Sequence, residues 1–187
     1  MTDPHSNASP DETLQWQSDL KRLSNCPDRL HSWLSETGLL TARLAQLANR
    51  KLRVEVINQE ACLLDHEIAR GFACESLNAI ARRVRLKDNN EDWVIAETLI
   101  PLALWHSTQW LNQLGTQPLG EALVKTGVTE LSDLEFVAVS AQSRLGKLAC
   151  MKPTQLLFAR RRWHQINESR ILIQEIFLPA LTAKILQ

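Results

Sequence analysis

Residues 52–56 alternate strictly: Leu52, Val54 and Val56 are separated by Arg53 and Glu55. A period of two marks a strand with one buried face. Five further segments carry strand signatures, at 77–86, 93–99, 134–140, 155–163 and 170–178. Asp88-Asn89-Asn90 lies between the second and third and predicts a hairpin turn over 87–92, because Asn and Asp tolerate turn conformations. Pro101 closes the third strand. Upstream the spacing is helical. Leu14, Leu20 and Leu23 follow Asp11-Glu12, a pairing that suits a helix N-terminus. Leu30, Trp33 and Leu34 predict a short helix over 27–35, Thr37-Gly38 a break, and Leu40, Leu44, Leu47 and Ala48 a third helix. A helix with Leu104, Trp105 and Leu111 follows Pro101, Gly115-Thr116-Gln117-Pro118 reads as a loop, and 119–125 as one more short helix. Hairpin-like connections between strands predict an α+β fold: a six-stranded antiparallel sheet with helices on one face. A doubly wound α/β fold needs regular strand–helix alternation, which this order lacks.

Charge and composition narrow the function classes. The 187 residues carry 21 Lys+Arg and 21 Asp+Glu, a formal net charge of +0. That balance disfavours sequence-independent nucleic-acid binding, which needs excess cations to displace counterions from phosphates. With 44% hydrophobic and 22% charged residues, the chain reads as globular. One domain is expected over 11–187, behind a polar, disordered tail over 1–10. No segment approaches the length of apolar chain that a membrane helix needs. The polar start, Met1-Thr2-Asp3-Pro4-His5, does not read as a secretory signal, so a cytoplasmic protein is expected. Cys26, Cys62, Cys74 and Cys150 form no Cys-x-x-Cys pair, and the five histidines are scattered, so no metal is expected. Glycine-rich phosphate loops and the Gly-x-Ser-x-Gly elbow are missing from the sequence. Arg160-Arg161-Arg162 beside Trp163 and His164 offers a basic, aromatic patch, but a solvated strand face is the preferred reading.

The informative residues are charges in apolar company. Arg82 shares a strand face with Ile80, Val84 and Leu86, whereas Arg83 and Arg85 point the other way and read as solvated. Glu175 lies on the face that carries Ile171, Ile173 and Phe177. A buried carboxylate without a partner costs several kcal/mol or becomes protonated, so something must compensate it. One reading is a buried Arg82–Glu175 ion pair with no ligand. The other is a polar pocket that takes a small anion. Glu97 shares a face with Trp93, Ile95 and Leu99. If Leu86 pairs with Trp93 across the hairpin, Arg82 stands opposite Glu97.

Several segments together resemble the chorismate pyruvate-lyase family. They are Trp33-Leu34 with Gly38-Leu39-Leu40-Thr41-Ala42-Arg43-Leu44; the hairpin from Arg82 to Trp93 and on through Thr98-Leu99-Ile100-Pro101; Leu114-Gly115-Thr116-Gln117-Pro118-Leu119-Gly120; Phe158-Ala159-Arg160-Arg161; and Ile171-Leu172-Ile173-Gln174-Glu175-Ile176-Phe177-Leu178-Pro179-Ala180. They fall in the family's order between about Leu30 and Ala180. The resemblance implies helical flaps over an internal ligand cavity within that six-stranded sheet. It implies conversion of chorismate to 4-hydroxybenzoate and pyruvate, the first committed step of ubiquinone biosynthesis, without a cofactor; a monomer is expected. By the same resemblance Arg82 clamps the ring carboxylate, Glu175 meets the ligand hydroxyl, and Leu40 and Leu119 contact the ligand through backbone N–H groups. Arg82 and Glu175 are thus the expected catalytic pair. Two departures stand out: Glu97 replaces a usual arginine, and Ala159 a commoner glycine. A charge reversal beside the clamp keeps open a second reading, a non-catalytic aromatic-acid binder of the same fold.

Overall fold

A computed structural model describes residues 14–48, 52–72, 77–130 and 132–187. The expected tail over 1–10, the Asp11-Glu12 helix start and Cys74 lie outside the described residues. In chain order the elements are α1 (Asp28–Leu34), α2 (Leu40–Leu47), β1 (Leu52–Leu63), α3 (His66–Gly71), β2 (Asn78–Asp88), β3 (Glu91–Pro101), α4 (Leu102–Ser107), α5 (Gln109–Asn112), α6 (Leu119–Lys125), β4 (Thr129–Glu130), β5 (Glu135–Val139), α7 (Arg144–Leu148), β6 (Leu157–Ile166), β7 (Ser169–Phe177) and α8 (Pro179–Leu186). The six expected strands all form, and every pairing among them is antiparallel. The two-residue β4 adds a short seventh, in the order β1-β2-β3-β7-β6-β4, with β5 also on β6.

Two hydrophobic clusters hold the main helical layer on one sheet face. At one end α1, α2 and α8 bury Leu30, Leu34, Leu44 and Leu181 against Val84, Leu86, Val94 and Phe177. At the other end α4, α5 and α6 bury Leu104, Leu111, Leu119 and Leu123 against Ile100 and Ile171. Burying each such leucine contributes about 1.5–3 kcal/mol relative to leaving it in water. The helices therefore leave a gap over the middle of the sheet. Two rows of strand residues lie beneath it. Val84, Ala96, Glu175 and Arg160 make one; Arg82, Thr98, Ile173 and Arg162 make the other.

The opposite face is covered as well. The short helices α3 and α7 and the segment around Leu14 and Trp16 pack there, α3 close enough that Phe72 meets Trp163 edge-on at 4.9 Å. Both helices carry side-chain caps that the sequence reading did not use: Asp65 accepts from the Ile68 N–H, and Ser143 from the Gly146 N–H.

Three expectations need correction. The helix read through Leu14, Leu20 and Leu23 is a bridge between Gln17 and Phe136 followed by one 3₁₀ turn, Leu20–Arg22. The hairpin pairs Leu86 with Val94 rather than Trp93, with a register shift between Leu86 and Lys87. One extra residue in a strand turns the following pairs. Arg82 therefore faces Thr98, and Glu97 faces Arg83. Finally, the reading of Arg83 as solvated fails, because this second face is itself packed. Arg83 is ion-paired to Glu97 and Glu60.

Candidate active site

The gap between the clusters is a cavity of about 220 Å³. Its floor is the two strand rows, and its walls are the α1–α2 connection with the start of α2 and the start of α6. Arg82, Glu175, Leu40 and Leu119 all line it, as do Thr98, Arg160, Arg162 and His164. The four residues expected to form the site are thus brought together.

Arg82 is 2% exposed. Its Nη2 donates to the Gly115 carbonyl at 2.8 Å, so the loop before α6 is tied to the floor. Burial alone lowers the Arg82 pKa from its ordinary value; no carboxylate among the described residues offsets that loss. A guanidinium of this kind gains most from an incoming anion.

Glu175 is not paired with Arg82. Arg160 Nε donates to its Oε2 at 2.6 Å, so the counter-charge comes from the neighbouring strand. Arg160, 4% exposed, also donates through Nη1 to the carbonyls of Leu34 at 3.1 Å and Glu36 at 2.6 Å. One side chain thus joins the Glu175 carboxylate to the α1–α2 connection that roofs it. The connection is braced locally: Glu36 Oε1 accepts from the Gly38 N–H at 2.8 Å and its Oε2 from Arg43 Nη1 at 3.0 Å. Those contacts, the Gly38 N–H first, hold the Glu36 carboxyl below the usual carboxylate range.

Arg160, Arg162 and His164 were missed as site residues. The reading of 160–164 as a solvated face is corrected by strand alternation. Arg160 and Arg162 face the cavity, while Arg161 turns to the other face and binds Glu135 at 2.8 Å, with its guanidinium 4.4 Å from the Trp16 ring. The signal was available, because β6 places every second residue on one face. His164, half-buried at the cavity wall, has its pKa pushed down to about 4, by burial first and by Arg162 second, against an opposing pull from Glu175.

Glu97 does not enter this cavity. It is 1% exposed on the other sheet face. Arg83 Nε at 2.9 Å, Arg144 Nη1 at 2.8 Å and Nη2 at 2.6 Å, and Gln174 Nε2 at 3.0 Å surround it. Burial is the largest single influence on its pKa and pushes it up; Arg144 and Arg83 together outweigh that and hold the carboxyl below its usual range. A second cavity, about 430 Å³, adjoins this cluster. Its volume is larger, but its deepest polar groups already satisfy one another. The functional candidate is the smaller cavity, where a buried cation has, among the described residues, a carbonyl as its hydrogen-bond partner.

Comparison with known proteins identifies the family. The family model described as Chorismate lyase matches residues 11–186. A protein of Shewanella sp. (strain MR-7) named "Probable chorismate pyruvate-lyase" is 32% identical over 178 residues, covering 90% of this chain and 89% of its own length. A Pseudomonas putida protein of the same name is 32% identical over 173 residues, covering 90% and 91%. Among solved structures, the effector domain of PhnF from Mycobacterium smegmatis superposes with a TM-score of 0.54 at 9% identity, over 69% of this chain and 82% of that one. A GntR-family transcriptional regulator from Bacillus cereus gives 0.52 at 9% identity, over 70% and 93%. At such identities these two speak for the fold alone. No described helix is long and apolar enough to cross a membrane. With the family match running nearly end to end and the relatives covered over most of their length, the chain belongs to the chorismate lyase family.

Proposed function

We propose that the protein is a chorismate pyruvate-lyase, acting in the cytoplasm as a single domain over 11–187 and supplying 4-hydroxybenzoate for ubiquinone synthesis. Chorismate is a dianion with a ring carboxylate, a ring hydroxyl and an enolpyruvyl ether. The reaction breaks the ether C–O bond and removes the hydrogen on the hydroxyl-bearing ring carbon. The ether fragment leaves as pyruvate and the ring becomes aromatic. Aromatisation drives this elimination and no net redox change occurs, so the protein's tasks are anchoring, orientation, water exclusion and proton handling.

The observation that carries the reading is Arg82: a guanidinium buried at the cavity floor, bound to a carbonyl, within a chain of this family. In this reading Arg82 holds the ring carboxylate through a bidentate pair. Glu175 lies one row along the sheet and two strands away, on the same face, at the end where the hydroxyl would sit. Its Oε2 is fixed by Arg160, which orients the carboxylate toward the ring hydrogen and hydroxyl. Backbone N–H groups at Leu40 and Leu119, each the first residue of a helix on the cavity wall, complete the contacts.

The second reading, a binder that does not turn over, drew its support from Glu97 as a charge reversal beside Arg82. The hairpin register removes that support, since Glu97 is on the far face. Incubation of the purified protein with chorismate, followed by assay of pyruvate and 4-hydroxybenzoate, tests the proposal. Equimolar release of both is expected. Tight binding of 4-hydroxybenzoate with no pyruvate above the spontaneous rate would leave a binder, and the absence of both turnover and binding would reject the site.

A further inference from the structure

Two polar side chains of the cavity floor are tied to the protein: Arg82 to the Gly115 carbonyl and Glu175 to Arg160. Thr98 is not. It is 3% exposed and lines the chamber in the row between Arg82 and Ile173. Among the described residues its hydroxyl has no hydrogen-bond partner. Ser143 shows what a structural hydroxyl does at similar depth. It is fully buried, donates to the Ser140 carbonyl at 2.7 Å and accepts from the Gly146 N–H at 3.1 Å.

The fold itself does not call for a hydroxyl at this position. Along β3 the residues sharing the Thr98 face are Val94, Ala96 and Ile100, all apolar and packed into the two clusters that flank the cavity. Valine has the same branched shape and suits a strand as well. A hydroxyl facing a chamber is costless only while it can bond water. Once a ligand displaces that water, the hydroxyl must bond the ligand or lose a hydrogen bond. Register says which end of the ligand it meets. Thr98 stands directly opposite Arg82, where side chains start about 4.5–5.5 Å apart, whereas Glu175 is a diagonal neighbour at about 7–8 Å.

We propose that the Thr98 hydroxyl donates a hydrogen bond to the ring carboxylate held by Arg82, so that a guanidinium and a hydroxyl together receive the acid end of the ligand. This rests on the lyase reading above and adds a substrate-binding residue to it. The ring carboxylate is present before and after the C–O bond breaks. The contact therefore serves chorismate and 4-hydroxybenzoate alike, and acts on affinity rather than on the chemical step.

The test uses full-length Thr98→Val and Thr98→Ser variants. Chorismate KM and kcat are read from pyruvate release, 4-hydroxybenzoate affinity from tryptophan fluorescence, and unliganded stability from urea melts. Thr98→Val should raise both the chorismate KM and the 4-hydroxybenzoate Kd about 10- to 100-fold, the range for a hydrogen bond to a charged group. Its kcat should stay within about threefold of wild type, and Thr98→Ser should recover most of the lost affinity. Without ligand, the Thr98→Val melting midpoint should equal or exceed the wild-type one, because no protein hydrogen bond is removed. Unchanged affinity for both ligands overturns the proposal. So does weakening of chorismate alone, which would place the hydroxyl on the ether arm, and so does a lowered midpoint, the mark of a structural hydroxyl. If wild-type protein binds 4-hydroxybenzoate but releases no pyruvate, the lyase reading fails separately, and the product titrations still decide the role of Thr98. Wild-type protein that binds neither acid overturns both.

Discussion

Glu97 and Glu175 sit on adjacent strands within one residue of register, Ala96 opposite Glu175 and Glu97 opposite Gln174, yet they face opposite sides of the sheet. Glu97 is closed: two arginines and a glutamine donate to both of its oxygens. Its partner Arg144 is delivered by α7, docked so tightly that a Cβ at Gly146 would lie 1.9 Å from the Ser140 carbonyl. Glu175 is open: among the described residues one guanidinium meets it, that guanidinium is shared with the roof, and a cavity occupies the remaining side. Burial alone does not separate a structural charge from a functional one. What separates them is whether the protein itself exhausts the hydrogen-bonding capacity.

The largest effects should come from the open face. Arg82→Ala removes the proposed anchor and should lower kcat/KM more than a hundredfold, about 3 kcal/mol or more, with loss of 4-hydroxybenzoate binding. Glu175→Gln should retain product binding while kcat falls about 10²- to 10⁴-fold. Steady-state kinetics and fluorescence titration give both numbers. Wild-type turnover in Arg82→Ala would break the assignment of the cavity, and unchanged kcat in Glu175→Gln would make that carboxylate structural.

The closed face should respond the other way. Glu97→Gln leaves Arg83 and Arg144 without their shared counter-charge, and because Arg144 is more than a third exposed the cost is discounted to about 2–3 kcal/mol of stability. Turnover per folded molecule should stay near the wild-type value. Chemical denaturation paired with active-site titration separates the two quantities. A Glu97→Gln protein of native stability but without activity would erase the distinction between the faces.

Acidification sharpens the comparison, because each face has its own window. His164 is depressed from 6.5 to about 4, so between those values the unfolded chain binds a proton that the folded chain refuses. Stability then rises with pH through that window and is lost on descending it, by about 2–3 kcal/mol after allowance for partial exposure. The Glu97 carboxyl is lowered from 4.5, so its contribution is complete above that value and lost as pH falls through the folded pKa. His164→Leu should flatten the first limb and Glu97→Gln only the second. Urea melts from pH 7 downward would show it, and loss of one and the same limb in both variants would contradict the separation.

Much of this was legible in the sequence, for a simple reason. Alternation fixes the face of a strand residue whatever its partner, so Arg82 and Glu175 were recognisable before any pairing was known. Pairing is another matter. The shift between Leu86 and Lys87 is a property of the folded hairpin, and it moved Glu97 from opposite Arg82 to opposite Arg83. Three consecutive arginines concealed their alternation behind a uniform charge, which hid Arg160 and Arg162. The helices at His66–Gly71 and Arg144–Leu148 are too short to show a period, although Asp65 and Ser143 mark their starts. Leu14, Leu20 and Leu23 had nearly helical spacing, but Gln17 bridges to Phe136 instead. The far face is covered by just these elements, which is why Arg83 read as solvated.

The smallest effect concerns the meeting of the two walls. Gly120, the second residue of α6, would need room for a Cβ where Leu39 Cδ2 stands at 3.1 Å and Thr41 Oγ1 at 4.0 Å. The starts of α2 and α6 therefore approach one another here, and the absence of a side chain serves that contact. Leu39 is reached at the tip of its side chain, which can give by a few tenths of an ångström, so Gly120→Ala should cost less than about 1 kcal/mol of stability. In the proposed reading substrate and product pass between these walls, and flap opening commonly limits turnover when the product is enclosed. A methyl group in the seam should therefore act on exchange. The expected result is a change of less than about threefold in kcat, with the 4-hydroxybenzoate dissociation rate moving by the same factor in stopped-flow fluorescence. A dissociation rate unchanged while kcat falls would show that the seam stays shut during release and that ligands use another route.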